Sequence, residues 1–196
     1  MNENYTLKYK GQKIDLLRRD IPGIINDLEK AIKVYCVGLT NVVYDNKGKI
    51  VGHIGFWDFD GFFPSYDLRA RICQITQALK TTVFALKTKA GYHFISFEIF
   101  DKQKYYEWKK IMHRIFPSDY ITKDGNQVLR ITSKGPENPV PQYETMYSFQ
   151  SEKTWSSAHL KIYLERKIIP ENVTELLKPK ILNTQCQLCY YSTGVF

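Results

Sequence analysis

Up to about Lys134 the chain alternates apolar and polar positions with period two or repeats them at helical spacing, and the pattern divides it into short elements. Tyr5–Tyr9 and Lys13–Leu17 read as a strand pair around Gly11. A helix is predicted from Pro22 to Lys33, with proline in its first turn and Ile25, Leu28 and Ile32 on one face. Val34–Tyr44 is rich in β-branched and aromatic residues, the run Asp45-Asn46-Lys47-Gly48 is a turn, and Lys49–Phe59 returns as the second strand of a hairpin. Pro64 and Ser65 open a helix, with the serine as N-cap and Leu68, Ile72, Ile75 and Leu79 as its apolar stripe. Thr81–Leu86 and Tyr92–Phe100 are strands joined by the turn Lys87-Thr88-Lys89-Ala90-Gly91. A second helix, capped by Asp101, runs from Lys102 to Ile115 and buries Tyr105, Trp108, Met112 and Ile115. Tyr120–Thr122 and Gln127–Thr132 then pair across Lys123-Asp124-Gly125-Asn126.

The run Gly135-Pro136-Glu137-Asn138-Pro139-Val140-Pro141 breaks this pattern. Residues 1–141 are therefore expected to form the core and residues 142–196 a C-terminal extension with one helix near Ser156–Arg166, which would bind template, dock a partner or complete the core. The order β-β-α-β-β-α-β-β between Val34 and Thr132 predicts an α+β fold, an antiparallel sheet with helices packed on one face.

Composition narrows the class. With 196 residues, 43% hydrophobic and 24% charged, the chain can bury a core and is not wholly disordered. No run approaches the roughly 18 uncharged apolar residues of a membrane span. The start, MNENYTLKYKGQK, lacks the apolar core of a secretory signal, so an intracellular, cytoplasmic protein without a membrane partner is expected. Cys36, Cys73, Cys186 and Cys189 are too few for a disulfide framework, and Cys186-x-x-Cys189 has no second pair to complete a zinc site. A monomer with reduced thiols is expected. The net charge of +8 is not spread evenly: Arg69 to Lys134 holds thirteen Lys and Arg against five Asp and Glu, and the rest holds fifteen of each. That imbalance points to a polyanionic partner.

Three stretches can carry chemistry. Asp58 and Asp60 end an apolar strand on one face, with Trp57 and Phe59 on the other. Two adjacent carboxylates repel unless a cation lies between them, and hard oxygen ligands suit Mg²⁺ or Mn²⁺. The turn containing Thr88, Lys89 and Gly91, followed by His93, offers hydroxyl, ammonium, close backbone approach and imidazole to phosphate oxygens. Asp119 could complete a carboxylate cluster; Asp124 competes with it but sits in turn-forming sequence. Arg130 and Lys134 follow as phosphate- or template-binding cations. His53, His113 and His159 read as structural, and His53 has the wrong parity to join the acids.

Phe56-Trp57-Asp58-Phe59-Asp60, then Gly91-Tyr92-His93, then Asp119 followed by Arg130 and Lys134, resemble in order the three motifs of archaeo-eukaryotic primases, closest to the compact primase-polymerases of archaeal plasmids and viruses. The resemblance spans Val34 to Lys134. It implies an RRM-like catalytic core in which Asp58, Asp60 and Asp119 bind divalent metal and His93 contacts the phosphates of an incoming NTP or dNTP. It further implies a DNA primase or primase-polymerase that adds nucleotides to a 3′-hydroxyl with two metal ions. A single-stranded DNA template would run along Arg69, Arg71, Lys109, Lys110 and Arg114, and a separate helicase is a further candidate partner. Two other readings use the same residues: a non-catalytic single-strand-binding module and a metal-dependent nuclease.

Overall fold

The eleven residues from Ile50 to Asp60 form the strand around which the molecule is organised. In the computed structural model the described residues are 4–9, 12–17, 35–118, 127–133, 137–149, 154–175 and 177–192. The strands are β1 (Asn4–Tyr9), β2 (Gln12–Leu17), β3 (Tyr35–Thr40), β4 (Val42–Tyr44), β5 (Ile50–Asp60), β6 (Val83–Lys87), β7 (Gly91–Phe100), β8 (Val128–Arg130), β9 (Gln142–Tyr147), β10 (Thr154–Ser156), β11 (Lys180–Leu182) and β12 (Leu188–Ser192). The helices are α1 (Ser65–Leu79), α2 (Lys102–Ile115), α3 (Ser157–Glu165) and α4 (Glu171–Glu175). The helix predicted over Pro22–Lys33, the strand Tyr120–Thr122, and Asp119, Asp124 and Lys134 lie outside the described residues.

The fold is α+β. Its main sheet places β4, β5, β7, β6 and β9 side by side, every pairing antiparallel. Within β5-α1-β6-β7-α2, the first and third strands are thus neighbours and the second lies outside the third. Farther along, β7 meets β10 at Glu98 opposite Trp155, and β11 runs parallel to β10. A second sheet has the order β2-β1-β12-β3-β8.

Side-chain alternation along β5 fixes the layers. Trp57 and Phe59 enter a core with Leu68, Ile72 and Ile75 of α1 and with Tyr105, Trp108 and Met112 of α2. Ile54 and Phe56 face the other way, into a core with Val37 and Leu39 of β3, Leu129 of β8, and Ile162 and Tyr163 of α3. The result is helices on one face of the main sheet and the second sheet with α3 on the other. Both buried indoles are satisfied: Trp57 Nε1 donates to Phe116 O at 2.9 Å and Trp108 Nε1 to Phe56 O at 3.0 Å.

The helix ends follow local chemistry, with one difference from expectation. Asp101 caps α2 by accepting from the Lys104 backbone N–H at 2.8 Å. At α1 the cap position is Pro64, in extended conformation, and Ser65 is already helical. Proline has fixed φ and no N–H to satisfy, so it enters the helix without a side-chain cap; its carbonyl accepts from Leu68 N at 3.0 Å.

Two expectations about long-range organisation change. The strand expected over Val34–Tyr44 divides at Asn41. Asn41 O accepts from Ile54 N at 2.8 Å, while its N–H and Oδ1 bond the Gln127 backbone at 2.9 and 2.8 Å, so β3 departs into the second sheet and only β4 completes the hairpin. Nor does packing stop at Pro141. β9 extends the main sheet beyond β6, and Trp155, Ala158, Leu160, Ile168, Ile169 and Cys186 share the core of β5 and β7. His159 is structural, as read: its Nε2 donates to Thr40 O at 2.8 Å, leaving Nδ1 to accept from Ser156 Oγ at 2.7 Å. Burial lowers its pKa to about 4. Among the described residues, no helix is long and apolar enough to cross a membrane.

Candidate active site

Antiparallel register between β5 and β7 sets Asp58 opposite His93 and Asp60 opposite Gly91. Because Asp58 shares parity with Ile54 and Phe56, its side chain lies on the sheet face away from α1 and α2. His93, sharing parity with Ile95 and Phe97, lies on that same face. The second sheet covers this face nearer the middle of β5; at the strand end Asp58 is half-buried and Asp60 exposed.

His93 is more deeply placed than the sequence suggested. It is 4% exposed, its Nε2 is 3.6 Å from Asp58 Oδ1, and its Nδ1 is buried without a partner among the described residues. Burial, reinforced by the Arg130 cation, lowers its pKa to about 3, so the imidazole is neutral at physiological pH. The contact is therefore not an ion pair, and 3.6 Å is too long for a hydrogen bond. Asp58 shifts the other way. Burial and then the Asp60 charge raise its pKa to about 6, with Arg130 and the Phe59 backbone opposing them. The strand end thus holds one carboxylate raised partly by the charge of the next, the situation a hard divalent cation relieves. Among the described residues, no three His, Cys, Asp or Glu groups are placed to hold a metal ion together. Asp58 and Asp60 supply two oxygen donors, and Asp119, the expected third, lies outside the described residues.

Arg130 of β8 acts on Asp58 and His93 through its charge. Its Nη1 donates to Thr132 O at 2.7 Å, Asn138 O at 3.2 Å and Pro139 O at 2.7 Å. Those carbonyls fix the guanidinium where its charge acts on both Asp58 and His93.

The turn between β6 and β7 forms the opposite rim. Thr88 N donates to Gly91 O at 2.8 Å and Gly91 N to Thr88 Oγ1 at 3.0 Å, so the hydroxyl oxygen shapes the turn. Gly91 is required by contact: a Cβ there would lie 2.0 Å from Phe59 O. Gly61 follows with φ +144, a conformation for glycine, and its N–H donates to Ala90 O at 2.8 Å. Lys89 Nζ pairs with Glu137 at 3.2 Å, both well exposed, a contact weak enough to exchange for a phosphate.

The five helix cations lie on elements covering the other sheet face. Arg71 Nη1 donates to Ile115 O at 3.0 Å and its guanidinium covers the Phe63 ring at 4.4 Å, tying α1 to the end of α2. Lys109 Nζ lies 4.9 Å from the Tyr105 ring centroid. Lys110 and Arg114 line a groove with Glu107, Ala78, Leu79 and Ile111, and Arg69 is exposed on α1. The structure thus brings Asp58, Asp60, His93 and Arg130 together beside the Thr88–Gly91 turn, and sets the helix cations behind the sheet.

One neighbour was not anticipated. Leu86 lies opposite both His93 and Tyr143, so Tyr143 of β9 continues the row Asp58–His93–Leu86 across the sheet. The run Tyr143-Glu144-Thr145-Met146-Tyr147 is rich in aromatic and β-branched residues, a strand signal obscured by the prolines before it. Compared with known protein families, curated proteins and solved structures, the chain matches none of them.

Proposed function

We propose that the chain is a template-dependent nucleotidyltransferase of the primase-polymerase kind, acting at the open end of β5 and β7. One observation carries the reading: strand register sets Asp58 beside His93 and Asp60 beside a glycine turn, with the Arg130 charge acting on the first pair. The motif order noted in the sequence supports it. Bound between the carboxylates, Mg²⁺ or Mn²⁺ would supply charge neutralisation for a triphosphate and an attacking 3′-hydroxyl.

The protein's own groups do the rest by position and field. Asp58 and Asp60 hold the cation. His93, neutral and fixed in the floor, presents Nε2 toward Asp58 and so offers a polar ring nitrogen without adding charge. Arg130 contributes a pre-oriented positive charge that needs no reorganisation when phosphate arrives. Lys89, released from Glu137, meets the outer phosphates, and the Thr88–Gly91 turn keeps that rim close to the acids. Carboxylates on this face oppose a purely nucleic-acid-binding role, since they repel a phosphate backbone unless metal is present.

The test is incorporation of labelled NTP or dNTP on a single-stranded DNA template with Mg²⁺ or Mn²⁺. Asp58→Asn and Asp60→Asn preserve shape and remove charge. Each is expected to lower the rate at least about a hundredfold, the scale of losing a few kcal/mol of charge stabilisation. Full activity in both variants would refute the assignment.

A further inference from the structure

Beside the acid pair, on the helix side of the sheet end, two large aromatic side chains stand in solvent: Phe62 is 53% and Tyr66 is 79% exposed. Single exposed aromatics are ordinary. These two are distinguished by how the chain holds them there. Phe63, the next residue, fills the interior position, stacking on Phe59 at 5.3 Å between ring centroids. Phe62 is left outside, edge-on against Tyr92 at 5.7 Å. Gly61 at φ +144 and Pro64 at φ −52 bracket the pair, restricting the backbone at both ends. Phe62 therefore cannot exchange places with Phe63 without rebuilding the entry to α1.

Charge around this patch favours a polyanion. Arg69 follows Tyr66 by three residues on α1, hence on the same helical face, and is exposed. Lys87 lies opposite Tyr92 in the β6–β7 register and is also exposed. Glu144, whose charge acts on Tyr92, bounds the patch toward β9.

We infer that Phe62 and Tyr66 form a stacking platform for the bases of a single nucleic-acid strand, with Arg69 and Lys87 receiving its phosphates. Every base has a π-face, so such a platform binds strands with little regard to sequence. The inference deepens the proposed polymerase reading and rests on it for the strand's role as template. Phe62 is two residues from Asp60 at the same end of β5 but on the opposite sheet face, so a strand stacked there would round the sheet end to reach the acid pair.

The experiment is fluorescence anisotropy of labelled oligothymidylate and oligouridylate of about twelve nucleotides, within the site size of such grooves. Nucleotide incorporation is measured on the same protein samples. Phe62→Ala and Tyr66→Ala should each weaken binding about tenfold, the scale of one lost base–aromatic stack. Phe62→Trp should retain affinity, and Arg69→Ala should reduce the salt dependence by about one phosphate contact. Tyr106→Ala removes an aromatic that is 66% exposed on α2 and should change nothing. Tyr66 is exposed enough to remove without disturbing the core, so loss of fold does not confuse the result.

Wild-type affinity for both oligonucleotides in the Phe62→Ala/Tyr66→Ala double variant overturns the platform. If that variant's parent still incorporates nucleotides, the polymerase reading survives. Weakened binding in a protein that incorporates nothing retains the platform and removes the polymerase.

Discussion

At the residue scale, the site turns on opposed shifts in neighbouring groups. Asp58 is raised to about 6 and His93 lowered to about 3, both chiefly by burial, which disfavours the charged form of each. Their effects on stability have opposite signs. Between about pH 4 and 6 the folded state holds a proton on Asp58 that the unfolded state has lost, so this group favours folding less as pH rises. His93 is neutral when folded and protonated when unfolded up to about pH 6.5, so it favours folding more as pH rises, and His159 acts in the same direction. Asp58→Asn removes the opposing contribution. Its stability in urea should rise more steeply than wild type between pH 4 and 6; parallel profiles would contradict the Asp58 environment described here. Sequence alone showed that Asp58 and Asp60 share a face, because strand parity is local. It could not show His93 opposite Asp58, since that depends on register between strands with a helix and another strand between them.

At the element scale, the closest constraint is the β5–β7 crossing at Gly91. A methyl group there would meet Phe59 O at 2.0 Å and Gly61 N at 2.7 Å, all backbone, with no flexible side chain to yield. Gly91→Ala must therefore separate the strand ends that carry Asp58 and Asp60. We expect a loss of about 2 kcal/mol or more in urea denaturation, as for other forced close contacts, together with weakened metal-dependent incorporation. Unchanged stability would show that the strands tolerate a wider spacing. Most elements of the middle region were legible because their signals are local: the Asp101 cap, the Leu68–Leu79 stripe, and the turns at Asp45–Gly48 and Lys87–Gly91. The division of Val34–Tyr44 was not legible, because Asn41 is assigned by its bonds to Ile54 and Gln127, one of them 86 residues away.

At the scale of the whole molecule, the segment after Pro141 is core material. Trp155 is 5% exposed and packs on Phe84 and Phe97, with ring centroids 5.9 Å away in both cases. Trp155→Ala should cost about 3–5 kcal/mol, the usual range for deleting a buried large aromatic, although the position is remote from the acids. A thermal midpoint within a degree or two of wild type would mean that this region is peripheral after all. In the sequence the segment is set apart by the breaker Gly135–Pro141 and by a pattern that weakens beyond it, with Pro170 and Pro179 interrupting it. Such strands declare themselves only through partners supplied by distant parts of the chain.

The second sheet sets an order of events for biosynthesis. Its middle strand is β12, which lies between β1 and β3, pairing with β3 over Leu188–Ser192 and with β1 at Leu188 and Cys189. As a nascent chain leaves the ribosome, β1 and β2 can form their hairpin at once, but their lateral link to β3 waits for residues made some 170 positions later. Until then both β1 and β3 present open edges, so the unfinished polypeptide is the form most exposed to mispairing and most in need of chaperone cover.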